Sequence, residues 1–378
     1  MNSYYGLLQD IIQKNLFIGK ILVIYGPRQV GKTTLVNNIL KDSDEPSKFY
    51  FGDDPIVNQL FTNKGIEQLR PLIEPYKLIV IDEAQTIENI GRTLKLIYDA
   101  FPQTQVIATG SSSFELASSI NEPLTGRKRE FFLYPLSFKE ISLELDPVKK
   151  LATLNRICKY GLYPKVFTQN PNQYEAEINE ITKSYLFKDT LKYQEIRKPQ
   201  LLEDLLRALA LQLGSEVSFQ ELALLLKTDQ TTIQRYIHLL EQSFIIFKLP
   251  SFSRNLRNEI NKSRKIYFYD IGIRNSLLGD FKDINLRVDK GAIWENLMIL
   301  ERMKYLEYSG VNYQHYFWRT YQQNEIDLVE DKNGELSSFE FKWNQNKQIK
   351  PPKLFVNTYP NTSFEVINSN NFDKFVGI

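Results

Sequence analysis

Cysteine is nearly absent from this sequence. Cys158 stands alone among 378 residues, which excludes a disulfide framework and points to a reducing compartment. Histidine is almost as scarce. With only His238 and His315, zinc sites built on histidine clusters and Ser-His-Asp triads have little to be made from. No apolar run approaches the ~20 residues that a bilayer-spanning helix needs. The opening stretch, MNSYYGLLQDIIQKNLF, is amphipathic and carries early acidic charge, unlike a signal peptide. A cytoplasmic protein with no membrane partner is the expectation. A dominant charge is lacking as well: 47 Lys+Arg against 45 Asp+Glu leave a net +2, so any nucleic-acid surface has to be local.

What is present suffices for several cores. Hydrophobic residues at 42% and charged ones at 24% are normal for soluble globular domains, and 378 residues suit two or three of them. Residues 20–135 alternate strands and helices. The solid apolar runs ILVIY (21–25), KLIVI (77–81) and QVIAT (105–109) suit parallel strands covered on both faces. Helical patterns, TTLVNNIL at 33–40 and RTLKLIYDAF at 92–101, separate them in a βαβ order. From about 136 to 210 the pattern is helical, with SFKEISLEL at 137–145 and YEAEINEITKSYLFKDTLKY at 174–193. Residues 218–249 read as helix, turn, helix, strand, and beyond 264 strands return in an α/β order with a turn in DKNGEL at 331–336. The expected domains are 1–135, 136–200, 201–264 and 265–378.

The first chemistry-bearing motif is Gly26-Pro27-Arg28-Gln29-Val30-Gly31-Lys32-Thr33, the pattern G-x-x-x-x-G-K-[ST] set between a strand and a helix. Glycines let the backbone wrap phosphates, and N–H groups at a helix start point at negative charge. The expected phosphate-binding set runs through Gly26, Pro27, Arg28, Gln29, Val30, Gly31, Lys32, Thr33 and Thr34. Lys32 reaches the β- and γ-phosphates and the Thr33 hydroxyl ligates Mg²⁺ in this reading. The run LIVI ends in Asp82-Glu83-Ala84-Gln85, where a parallel sheet presents its ligands. Asp82 is expected to hold the metal through water and Glu83 to orient and deprotonate the attacking water. After the third strand, Ser111 is favoured as a γ-phosphate sensor, with Thr109 second. Arg127 is the candidate cation that completes the site, in its own chain or on a neighbouring subunit.

Ser218-Phe-Gln-Glu221 is a capping box that opens a helix, and a turn at Lys227-Thr228-Asp229 starts a second one. The order matches a winged helix-turn-helix. Thr231, Thr232, Gln234 and Arg235 are then the residues facing double-stranded DNA, and the basic loop Arg254, Arg257, Lys262, Arg264 and Lys265 is the wing on phosphate. Further on, Glu295 lies in an apolar helix, Asp327 in EIDLV, and Glu340 and Lys342 in FEFKW. Strand alternation puts Glu340 and Lys342 on one face, and a hairpin brings Asp327 beside them. Asp327, Glu340 and Glu295 are the candidate ligands of a second metal, with Lys342 positioning or activating water against a phosphodiester.

The whole chain resembles the bacterial and archaeal AAA-type ATPases that carry a C-terminal domain from the restriction-endonuclease-like superfamily. The words that carry this are GPRQVGKTT, LIVIDEAQ, ATGSSS, LTGR with FFLYPLSFKE, YGLYPKV, KIYFYDIGIRNSL, GAIWENLMILE, FWR, NEIDLV and FEFKW. They span nearly all of residues 15–345 in order. Leu162 and Lys165 depart from the family, which has Gly and Glu there. The resemblance implies an α/β protein with a P-loop AAA-type parallel-sheet domain, a helical lid, a winged helix-turn-helix and a C-terminal restriction-endonuclease-like α/β domain. It makes ATP the nucleotide, with Mg²⁺ as cofactor and a homo-oligomer or protein partner in view. The expected function is ATP hydrolysis coupled to the nuclease-like domain. The alternatives are an ATP-licensed, metal-dependent DNA nuclease and a nucleotide-responsive DNA-binding or scaffold protein with little turnover.

Overall fold

Three apolar runs become the centre of a five-stranded parallel sheet. Its strands are β1 (Ile21–Tyr25), β2 (Ser47–Phe51), β3 (Leu78–Asp82), β4 (Gln105–Gly110) and β5 (Lys128–Phe132), in the order β2-β3-β4-β1-β5. The computed structural model describes residues 6–111, 120, 123–142, 145–184, 198–253, 264–344 and 349–378, and every structural statement below concerns these. They fall into two units, Met1–Pro135 with Gln242–Phe244, and Leu136–Glu241 with Ile245–Ile378. No helix among the described residues is long and apolar enough to cross a membrane.

In the first unit every residue of β1, β3 and β4 is buried, as strands covered on both faces require. The two edge strands, SKFYF and KREFF, are largely half-buried or exposed. Lacking a solid apolar run, they leave no strand signal in the sequence. The register pairs Tyr25 with Gly110 and Ile81 with Ala108, so the carboxyl ends of β1, β4 and β3 finish along one edge. The helix Lys32–Lys41 leaves β1 at that edge and buries Leu35, Val36 and Ile39.

The second unit opens with the helices Phe138–Ser142, Pro147–Tyr160, Pro164–Phe167 and Tyr174–Ser184. The rest of the helical pattern expected to 193 lies outside the described residues. Next come the helices Pro199–Leu211, Phe219–Leu225 and Gln230–Gln242 and a small antiparallel sheet. Its strands β6 (Glu216–Val217), β7 (Ile246–Pro250) and β8 (Arg264–Phe268) run in the order β6-β8-β7. Of the expected wing, residues 254–263 lie outside the described residues, while Arg264 and Lys265 belong to β8 itself. After the helix Lys290–Tyr308, the strands β9 (Gln314–Arg319), β10 (Glu325–Lys332), β11 (Glu335–Phe341) and β12 (Ser363–Ile367) form a sheet ordered β12-β11-β10-β9. β9, β10 and β11 pair antiparallel, and β12 runs parallel to β11. Asn333 and Gly334, at φ 55° and 92°, make the two-residue turn between β10 and β11.

Two of the sequence words meet at one buried carboxylate. Asp270 caps the helix Ile271–Leu278 by accepting from Ile273 N at 3.2 Å, and its other oxygen accepts from Leu162 N at 2.7 Å. Gly161 is what permits the approach, because a Cβ there would lie 2.0 Å from Asp270 Oδ1. Position 162 therefore acts through its backbone amide, and the Leu at this site costs nothing in that bond. Asn275 ties the same segments by donating to the carbonyls of Cys158 and Lys159, each at 2.9 Å.

Burial pushes the Asp270 carboxyl up from 3.8 to about 6, against the backbone amides that lower it. A folded-state pKa above the unfolded one means the folded chain holds the proton more tightly. The stability this group contributes is therefore full below about pH 4 and is lost as the pH rises through 6. About two pH units correspond to roughly 3 kcal/mol. Asp270→Asn should flatten the fall in denaturant stability between pH 4 and pH 7 relative to wild type; equal slopes in the two proteins would refute this.

Candidate functional site

At the carboxyl edge of the first unit's sheet, the loop after β1 turns back over the strand. Gly26 is forced by close approach: a Cβ there would stand 2.3 Å from the Leu133 carbonyl oxygen. Gly31, at φ 100°, caps the helix Lys32–Lys41 and accepts from Leu35 N at 2.9 Å. Lys32 is 4% exposed, and its ammonium donates to the carbonyls of Gly26 and Pro27, both at 2.9 Å. The charge is thus held inside the loop's own curve. Val30 is buried, Arg28 half-buried, and Gln29, Thr33 and Thr34 are exposed.

Across the edge, the Thr33 hydroxyl donates to Asp82 Oδ2 at 2.7 Å. Asp82 is fully buried, and its other oxygen accepts from the Thr109 hydroxyl. Thr109 in turn accepts from Glu83 N at 3.2 Å. With its hydroxyl committed on both sides and no exposure, Thr109 is a brace for the strand ends, which corrects its reading as a second γ-phosphate sensor. Glu83 has a left-handed backbone, φ 50°, a costly conformation for a side chain with a Cβ. Its Oε2 accepts from the Ser111 hydroxyl at 3.1 Å and from Gln85 Nε2 at 2.5 Å, while Gln85 Nε2 also lies 3.3 Å from Ser111 Oγ. Gln85 is the residue that sequence reasoning left without a role. It sits two positions after the carboxylate it orients, and only the chain reversal at Glu83 brings the two side chains together.

Arg127 lies at the other edge. Its carbonyl accepts from Ile21 N at 2.9 Å, where β1 and β5 begin, and its guanidinium pairs with Asp99 at 3.1 Å. Five strand residues, roughly 16 Å, separate that end from the loop after β1. Completing the site of its own chain is therefore excluded for Arg127 by the direction of the strands. The 570 Å³ cavity lined by Lys20, Tyr98, Asp99 and Gln105 shares that amino edge and is likewise remote from Asp82 and Glu83.

Residues 19–142 match the family described as AAA domain. The match and the five-stranded parallel sheet together support an AAA-type ATPase. Residues 151–283 and 290–375 match two families described as domains of unknown function, DUF8612 and DUF4143, and neither description names an activity. An uncharacterized protein of Mycobacterium tuberculosis is 26% identical over 335 residues, 88% of this chain and 72% of that protein. Another, from Methanocaldococcus jannaschii, is 27% identical over 379 residues, 94% of this chain and 82% of its own length. Among solved structures, one titled a DNA replication initiation factor aligns at 16% identity over 62% of this chain and 86% of that one, with a TM-score of 0.27.

The second unit carries a separate charged cluster. The register that pairs Leu328 with Phe339 brings Asp327 opposite Glu340 one step on. Lys342 Nζ lies 2.7 Å from Glu340 Oε1, so the two do share a face. Asp327 Oδ2 accepts from Phe341 N at 2.8 Å. Glu295, however, is already occupied. Lys265 Nζ stands 2.9 Å from its Oε1, and the Tyr267 hydroxyl donates to the same oxygen at 2.5 Å. Lys265 also pairs with Glu325, which Arg319 approaches at 3.5 Å.

Burial, followed by the neighbouring Asp327 charge, raises the carboxyls of Glu295 and Glu340, and burial raises Asp327 itself. Burial alone would lower the Lys265 ammonium, but Glu295, Asp327 and Glu325 outweigh it and raise that group. Among the described residues no group of three or more His, Cys, Asp or Glu is arranged to hold a metal ion. Of the expected metal set, Asp327 and Glu340 lie side by side on β10 and β11, while Glu295 is held by the Lys265 ammonium. Lys265, expected on an exposed wing, is 1% exposed in this cluster. A lysine and a tyrosine alternating with apolar residues in Lys265-Ile-Tyr267-Phe were the available signal, as was Glu325 two residues before Asp327 on the same strand face.

On the helix Gln230–Gln242, Thr231, Gln234 and Arg235 are exposed. The Thr232 hydroxyl donates to Asp229 Oδ2 and its amide to Asp229 Oδ1, each at 2.7 Å.

Proposed function

We propose that the first unit binds ATP with Mg²⁺ and hydrolyses it, and that nucleotide turnover drives the regions 201–264 and 265–378, read as winged-helix-like and nuclease-like domains. The observation that carries the reading is the 2.7 Å bond between the Thr33 hydroxyl and Asp82, which joins the start of the phosphate-facing helix to the carboxylate at the end of β3. Both residue types suit a hard cation. Thr33 and Asp82 are the residues that would hold Mg²⁺, and the ion supplies charge neutralisation at the β- and γ-phosphates. Backbone amides between Gly26 and Thr34 bind the phosphates, and Lys32 exchanges two loop carbonyls for phosphate oxygens. Glu83 takes the proton of the attacking water, while Ser111 and Gln85 fix the rotamer of its carboxylate. Arg127, at the far edge of its own sheet, has a catalytic part only toward a second copy. DNA is the proposed partner of the exposed face at Thr231, Gln234 and Arg235.

An ATP-licensed nuclease is the weaker reading, because Lys265 occupies Glu295 and Glu325. Steady-state phosphate release with Mg²⁺, and with the metal chelated, tests the proposal. Wild type should turn over ATP only with Mg²⁺. Gln85→Ala should lose roughly ten- to a hundredfold in kcat with unchanged ATP affinity, since it positions the base, whereas Ser111→Ala, which also removes the expected γ-phosphate sensor, should lose at least as much. ATP binding without any turnover in wild type would remove hydrolysis and leave a nucleotide-responsive scaffold.

A further inference from the structure

Glu83 keeps its left-handed backbone without a glycine's freedom, and such a conformation persists only where the surroundings hold it. Thr86 donates twice to the Glu83 carbonyl oxygen, from its amide at 3.1 Å and from its hydroxyl at 2.9 Å. Thr86 is held in turn by the helix Pro55–Phe61, which follows β2: Asn58 Nδ2 donates to the Thr86 carbonyl at 2.6 Å. The Thr62 hydroxyl donates to Asn58 Oδ1 at 3.0 Å, which fixes the end of the amide that faces Thr86. Gly52, the residue after β2, packs on the same reversal, and its amide donates to the Asp82 carbonyl at 2.8 Å. A Cβ at position 52 would stand 2.6 Å from the Glu83 carbonyl oxygen and 2.8 Å from Thr86 Oγ1.

Asn58, Thr62 and Thr86 are half-buried, and with Gly52 they line a cavity of 530 Å³. Truncating one of the three side chains therefore empties no packed core and should cost the fold little. We infer that Asn58, Thr62 and Thr86 are positioning residues, a relay in series that holds the backbone of Glu83. The relay complements Ser111 and Gln85, which hold the carboxylate of the same residue. It gives the segment after β2, which belongs to neither nucleotide motif, control over turnover. The inference rests on the reading of this site as hydrolytic, with Glu83 as its base.

Phosphate release and ATP affinity, measured on the full chain with Mg²⁺, test it. Thr86→Val and Asn58→Ala should each lose roughly tenfold or more in kcat, with ATP affinity within about twofold of wild type. Thr86→Ser, which restores the hydroxyl, should recover most of the loss seen in Thr86→Val. In a Glu83→Gln background Asn58→Ala should cost nothing further, because a residue that acts through Glu83 then has no base to position. Hydrogen exchange of residues 83–86, read without nucleotide, should quicken about fivefold or more in Thr86→Val and Asn58→Ala. Wild-type turnover in both variants, or losses that multiply with Glu83→Gln, would overturn the inference. ATP binding with no turnover in wild type would defeat the hydrolytic reading instead. Exchange then decides the relay by itself, and unchanged rates in both variants would sink it.

Discussion

Lys32→Ala is expected to lower ATP affinity by about 2–5 kcal/mol, roughly 30- to 5,000-fold in Kd. The side chain is 4% exposed and its ammonium is held by two carbonyls of the loop that would enclose the phosphates. Removing it takes away the cation best placed to meet a triphosphate. The fold should survive, because those two bonds are internal to the loop and the helix keeps Leu35, Val36 and Ile39 buried. Titration of a fluorescent ATP analogue into wild type and variant, with circular dichroism as the control, reads the effect. Unchanged affinity in a folded variant would end the assignment of this loop to nucleotide.

Glu83→Gln should bind ATP as wild type does and turn it over about 10²–10⁴ times more slowly. An amide keeps an acceptor for Ser111 and Gln85 but cannot take a proton from water. The left-handed backbone at residue 83 and the brace from Thr109 to its amide are untouched by the change. Loss should therefore fall on kcat alone, a split that distinguishes a proton acceptor from a binding group. Full turnover by Glu83→Gln would remove this residue from catalysis and leave its strained conformation without a functional reason.

Legibility followed exposure. β1, β3 and β4 are buried on both faces, so each is written as a solid apolar run and could be read directly. The edge strands β2 and β5 face solvent in part, mix charge with aromatics and carry no such mark. The hairpin between β10 and β11 was legible because a two-residue turn with positive φ selects Asn-Gly. Residues close in sequence, such as Glu340 and Lys342, could be paired by strand alternation. So could Asp327 and Glu340 across the hairpin, but pairings between elements that no tight turn joins could not.

The sequence by itself determined the glycine-bounded loop after β1, the carboxylate pair after β3 and the strand faces of the second unit, because local periodicity and glycine placement are properties of short segments. Only the tertiary structure decided which of those groups meet. Strand direction carried Arg127 to the far edge, a backbone reversal brought Gln85 onto Glu83, and a strand from another sheet delivered Lys265 to Glu295. Such contacts depend on how elements pack, and burial then fixes the cost of leaving any of their charges unpaired.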